Sequence, residues 1–151
     1  MWKEQLEIVK KTMARFHDSV YDGATEKEIK LLCDNLKKRL DMEIPDEYID
    51  LLRKMDGFEF NGFILYGVDE EYTEDVVKQE YINGLIDRNE IWHENEWEER
   101  YLFLGESSIS WYVYDLDKKR YLELDNPSGE VCKYYKDFDE MLTVIFTDCD
   151  L

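Results

Sequence analysis

The chain has 151 residues, 44% hydrophobic and 15% aromatic. That is enough for one domain with a sizeable core, and too apolar for general disorder. Its formal net charge is −18, from 37 acidic and 19 basic residues, so its surface repels nucleic-acid phosphates and attracts basic proteins. No apolar run approaches membrane-spanning length: Phe60–Val68 has nine uncharged residues, against about 20 for a spanning helix.

Taken in order, Trp2, Leu6, Val9, Met13 and Phe16 recur at helical spacing and predict an amphipathic helix over 2–16. The opening MWKEQLEIVKK is mixed in charge, unlike a signal peptide, and a soluble cytoplasmic protein is expected. A polar connector at 18–24 leads to Thr25 and Glu28, a T-x-x-E capping box. The helix it starts carries Ile29, Leu32, Cys33, Leu36 and Leu40 on one face. Pro45 suits the first turn of a third helix, where its missing N–H is harmless. Tyr48, Leu51, Leu52 and Met55 line that helix, and Gly57 marks its stop. Asn61-Gly62 then separates Phe58–Phe60 from Phe63–Val68, the signature of a two-residue hairpin.

Residues 69–75, DEEYTED, read as a solvated turn. Val76, Val77, Tyr81, Leu85 and Ile86 suggest a helical face interrupted by Gly84. Residues 89–100, NEIWHENEWEER, suit either a helix or a loop ahead of a strand. From Tyr101 the period changes to two. Strands are expected at 101–104, 110–116, 120–124 and 130–135, separated by turns at 105–108, 115–119 and 126–129. Short links favour antiparallel pairing. Asp137 as N-cap, with Phe138, Met141, Leu142 and Ile145 behind it, begins a closing helix. The expected fold is α+β: a mainly antiparallel sheet of about five to six strands, with N- and C-terminal helices packed on it, in one domain.

Motifs for chemistry are few. Cys33, Cys132 and Cys149 are widely spaced, and no CxxC pair exists, so neither a disulfide framework nor a zinc site is expected. His17-Asp18-Ser19 is an adjacency in sequence, not a triad. His93 lies among carboxylates but lacks a second histidine. Asp115-x-Asp117 fails as a calcium loop, because its sixth position is Arg120 and its twelfth is Asn126. The run at Gly105 is not a nucleophile elbow, because Ile109 stands where glycine is required. No cofactor and no enzymatic activity are expected.

Charge is unevenly placed. Residues 69–99 hold 12 acids and two bases, more than half of the whole imbalance. Aromatic anchors in an acidic rim suit a protein-binding patch. Its candidate residues are Asp69, Glu70, Glu71, Glu90, Trp92, Glu94, Glu96, Trp97, Glu98 and Glu99. The competing reading makes these aromatics core anchors with solvated neighbours.

Across nearly the whole chain, the order of motifs resembles the SUKH superfamily, which contains Smi/Knr-type cell-wall-assembly regulators and many bacterial immunity proteins. The resemblance rests on Ala24-Thr25-x-x-Glu28-Ile29, Ile44-Pro45-x-x-Tyr48, Leu51-Leu52, Asp56-Gly57, Gly62–Gly67, the hairpin FLGESSISWYVYDLDKKRYLELD and the helix at Phe138. It looks closest to a YrhA-like bacterial branch. Many members have Asn-Gly where this chain has Asp56-Gly57. The resemblance implies a non-enzymatic binding module. Its protein partner would be a basic toxin such as a nuclease, neutralised by an immunity protein. The alternatives are a regulator or scaffold, cell-wall-regulator-like, that binds endogenous partners without a toxin and, less favoured, a metal-dependent enzyme.

Overall fold

The computed structural model describes residues 1–18, 20–74, 83–94 and 100–150. Five α-helices are described: α1 (Trp2–Arg15), α2 (Glu26–Leu40), α3 (Asp46–Lys54), α4 (Leu85–Trp92) and α5 (Phe138–Cys149). Six strands are β1 (Phe58–Phe60), β2 (Phe63–Leu65), β3 (Tyr101–Glu106), β4 (Ser110–Asp115), β5 (Arg120–Asp125) and β6 (Val131–Tyr134). They form one sheet in the order β1 to β6, with every neighbouring pair antiparallel.

Local chemistry sets most element ends. The Thr25 hydroxyl accepts from the Glu28 N–H at 3.1 Å, and the Glu28 carboxylate accepts from the Thr25 N–H at 2.8 Å. The Asp137 carboxylate accepts from the Glu140 N–H at 2.8 Å. Pro45 immediately precedes α3 as its cap. Asn61 and Gly62 both have positive φ, 49° and 83°, as a type I′ hairpin turn requires. Gly23 lies so close to the end of α3 that an added Cβ would fall 1.8 Å from the Arg53 carbonyl oxygen.

The sheet is covered on both faces. On one, Tyr121 packs 5.3 Å from Phe138 of α5, and Trp2 of α1 reaches the same ring at 5.8 Å. Tyr48 of α3 completes this layer, 6.2 Å from Phe138. On the other face, α4 lies against β3 and β4: Trp92 packs on Phe103 at 6.3 Å and on Trp111 at 5.2 Å. Nearly every residue of β3 and β4 is therefore buried, on both faces of the sheet, and not only alternate ones as a period of two would give.

Two expectations are corrected. Phe16 falls beyond the end of α1 and is 64% exposed, whereas Trp2, Leu6, Val9 and Met13 are buried as the spacing predicts. β3 runs on through Gly105 and Glu106 instead of turning there, because both residues pair with β2. A Cβ on Gly105 would lie 2.4 Å from the Ile64 carbonyl oxygen. Gly84 stands at the start of α4 as its cap. Val76, Val77 and Tyr81 lie outside the described residues.

Candidate functional site

The acidic run begins with a surprise at Asp69, which is 4% exposed and not solvated. One of its carboxylate oxygens accepts from the Ile86 N–H and the other from the Asp87 N–H, each at 3.0 Å. It thus caps α4 from far back in the chain, satisfying two N–H groups that a helix start leaves open. The approach is close enough that a Cβ on Gly84 would sit 2.0 Å from an Asp69 oxygen. The Gly67 backbone adds two bonds to the same junction, donating to the Asn83 carbonyl and accepting from the Leu85 N–H, both at 2.9 Å. Burial pushes the Asp69 carboxyl up to about 6, against the opposing pull of the two N–H donors, and the charges of Asp87 and Glu71 add to the rise.

A second device holds α4 to the sheet. β2 ends at Leu65, so the side of β3 that faced it has no strand partner beyond Gly105. Side chains of α4 fill the vacancy. Asn89 is fully buried; its Nδ2 donates to the Phe103 carbonyl at 2.9 Å and its Oδ1 accepts from the Phe103 N–H at 2.7 Å. One turn on, His93 Nε2 lies 2.8 Å from the Tyr101 carbonyl oxygen. A carbonyl only accepts, so Nε2 carries the proton and is spoken for. Among the described residues, no group of three or more His, Cys, Asp or Glu side chains could hold a metal ion.

Trp92 stands at the end of the same helix, half-buried. Its Nε1 donates to the Tyr66 hydroxyl at 3.0 Å, and that hydroxyl donates to a Glu106 oxygen at 2.8 Å. Burial raises the Tyr66 hydroxyl well above its usual range, with the Glu106 charge adding to it, so the tyrosine stays neutral and keeps its proton for Glu106. Trp92 is therefore fixed in orientation by a hydrogen-bond chain and by two aromatic neighbours, Phe103 and Trp111.

Along α4 and the turn before it, Glu70, Glu71, Asp87, Glu90 and Glu94 are exposed. Arg39 of α2 pairs with Glu71 at 3.2 Å and also with Glu90. Lys27 of α2 pairs with Glu74 at 2.9 Å. Glu70, Asp87 and Glu94 have no ion pair among the described residues, so their charge faces solvent. Asp69, Glu70, Glu71, Gly84 and Asp87 line a pocket of about 190 Å³. Glu70 and Glu71 thus lie on the 3₁₀ turn Glu70–Tyr72, Glu90 and Trp92 on α4 and Glu94 just after it; Arg39 joins Glu71 to Glu90, and Asp69 is the buried cap at the start of α4. Glu96, Trp97, Glu98 and Glu99 lie outside the described residues.

Residues 23–149 match the model of the SMI1 / KNR4 family (SUKH-1). The chain belongs to that family. No curated protein matches it. The SUKH-1 match takes in α2 to α5 and all six strands, so the site built on α4 lies inside the family's scaffold, whereas α1 lies outside it. None of the described helices is long and apolar enough to cross a membrane.

Asn89 and His93 were not singled out for this role by sequence reasoning. Their spacing of four residues, on a helix that also buries Leu85 and Ile86, is the one signal that could have placed Asn89 on the inner face. The cap by Asp69 carries no local signal, because its helix starts sixteen residues later.

Proposed function

We propose that this SUKH-1 protein is a cytoplasmic immunity protein, which binds a cognate basic toxin such as a nuclease and neutralises it without catalysis. The observation that carries this reading is the fixed, half-buried Trp92, with exposed Glu90 and Glu94 two residues to either side of it in sequence, in a segment of 12 acids and two bases. An orientated, half-buried tryptophan loses little side-chain freedom on binding, and a rim of one sign steers an opposite partner. Glu70, Glu71, Glu90, Glu94 and Trp92 form the contact surface in this reading, extended along the chain by Glu96, Trp97, Glu98 and Glu99. A nuclease is basic where it grips phosphate, so an acidic protein seated there excludes the nucleic acid.

Co-expression tests the reading. Cells that express a nuclease encoded beside this chain should survive when the chain is present. They should lose that protection when Glu70, Glu90 and Glu94 are changed to Lys and Trp92 to Ser, with the variant still folded. Protection that the variant retains would remove this surface from the interaction. Recovery of endogenous regulators with the chain, and of no toxin, would favour a scaffold that binds cellular partners.

A further inference from the structure

The helix outside the SUKH-1 match carries its own unpartnered surface. The buried stripe of α1 packs inward, yet Met1 is 74% exposed, Ile8 48% and Phe16 64%. Ile8, Thr12 and Phe16, at i, i+4 and i+8, line one side of an open groove whose other wall includes Phe60 and Asn61. Ile8 is exposed on the helix and Met1 and Phe16 at its two ends, so this side of α1 is apolar for a solvated surface.

The charges beside this stripe are arranged in order. Residues 2–16 hold the acids Glu4 and Glu7 in the first half, and Lys10, Lys11 and Arg15 in the second, with Lys3 near the start. Glu4 pairs with the N-terminal amine and Glu7 lies 3.8 Å from Lys10, both at the surface. Lys11 and Arg15 have no ion pair among the described residues. In a chain of net charge −18 with about two acids for every base, residues 2–16 carry four bases against two acids, a surplus that α2 shares.

We infer that α1 pairs antiparallel with α1 of a second copy, about a two-fold axis at the level of Val9. In that register Met1 meets Phe16 of the second copy, Glu4 meets Arg15 and Glu7 meets Lys11. Each contact occurs twice, as an isologous interface requires. Ile8 and Thr12 fill the centre. The two helix dipoles oppose one another, which is the favourable sense. The acidic run offers no such site, since two copies joined there would set like charges together. α1 and α4 cover opposite faces of the sheet, so pairing through α1 leaves the α4 surface open to another protein.

Sedimentation equilibrium of the full chain, from low to several hundred micromolar, reads this directly. A monomer–dimer equilibrium is expected. Glu7→Lys or Lys11→Glu alone should weaken the dimer by about tenfold or more, because each places like charges opposite at two positions. The pair Glu7→Lys with Lys11→Glu should restore it to within about threefold, as coupled sites do. Phe16→Ser should weaken it, with unchanged circular dichroism because Phe16 is exposed. A monomer throughout the concentration range would overturn the inference. So would a dimer that the single reversals leave intact, or one that the double reversal does not rescue.

Discussion

Asn89→Leu removes the side chain that replaces a strand along β3. The substitution keeps size and burial but leaves the Phe103 N–H and carbonyl without the partners found at 2.7 and 2.9 Å. Each orphaned buried backbone group costs about 1–3 kcal/mol. The bond from Asn89 Nδ2 to the Leu85 carbonyl, 2.8 Å long, is also lost, but that carbonyl lies within the helix ladder and suffers less. Leucine returns part of the loss through its own apolar burial. The expected net destabilisation is about 3 kcal/mol. With a slope of about 2 kcal/mol per molar urea, the unfolding midpoint falls by about 1.5 M. Urea titration followed by tryptophan fluorescence and by circular dichroism measures it. The matched control is Glu90→Ala on the exposed side of α4, which breaks only a surface pair and should leave the midpoint nearly unchanged. If Asn89→Leu shifted the midpoint no more than that control, the account of α4 as the partner of β3 would be refuted.

Gly84→Ala should destabilise by about 1–3 kcal/mol through overpacking, because its Cβ would fall 2.0 Å from Asp69; thermal unfolding would read the loss. Asp69 also gives a pH dependence of opposite sense to most carboxylates. Its pKa is about 6 in the folded chain, above the ordinary aspartate value of 3.8, so the folded state holds the extra proton between these values. Stability from this group is full below about 4 and falls as pH rises through about 6, by on the order of 3 kcal/mol. The stability of the native chain minus that of Asp69→Asn should therefore shrink from pH 4 to pH 7, and urea titrations at both would show a growing difference if the sign were wrong. Trp92→Phe removes the bond to Tyr66 at a cost of about 1 kcal/mol. It should also raise the dissociation rate of a bound partner, a change that surface plasmon resonance would detect.

Elements whose causes lie within a few residues were legible in the sequence. The Thr25–Glu28 box, the Asp137 cap and the Asn61-Gly62 turn each need only neighbours to act, and each is where the pattern puts it. The antiparallel order followed for the same reason, since short turns leave little choice of neighbour. What was not legible depends on residues distant in the chain. Asp69 looks like one more acid in an acidic run until α4 folds over it. Asn89 and His93 look like polar surface residues until β2 ends and leaves β3 open beside them. Phe16 fits the apolar period of α1, but the helix stops one residue too early to bury it. The acidic rim itself was visible from composition, while its division into paired and open carboxylates was not, because Arg39 and Lys27 reach it from α2.

The central claim is that α4 and the 3₁₀ turn before it present an acidic surface to a basic partner. Stopped-flow association between the full chain and a purified candidate toxin, over a range of salt, tests this most directly. The account predicts an association rate that falls steeply with salt, and one that Glu70→Lys, Glu90→Lys and Glu94→Lys together slow by orders of magnitude. A rate independent of salt and untouched by the three reversals would contradict it.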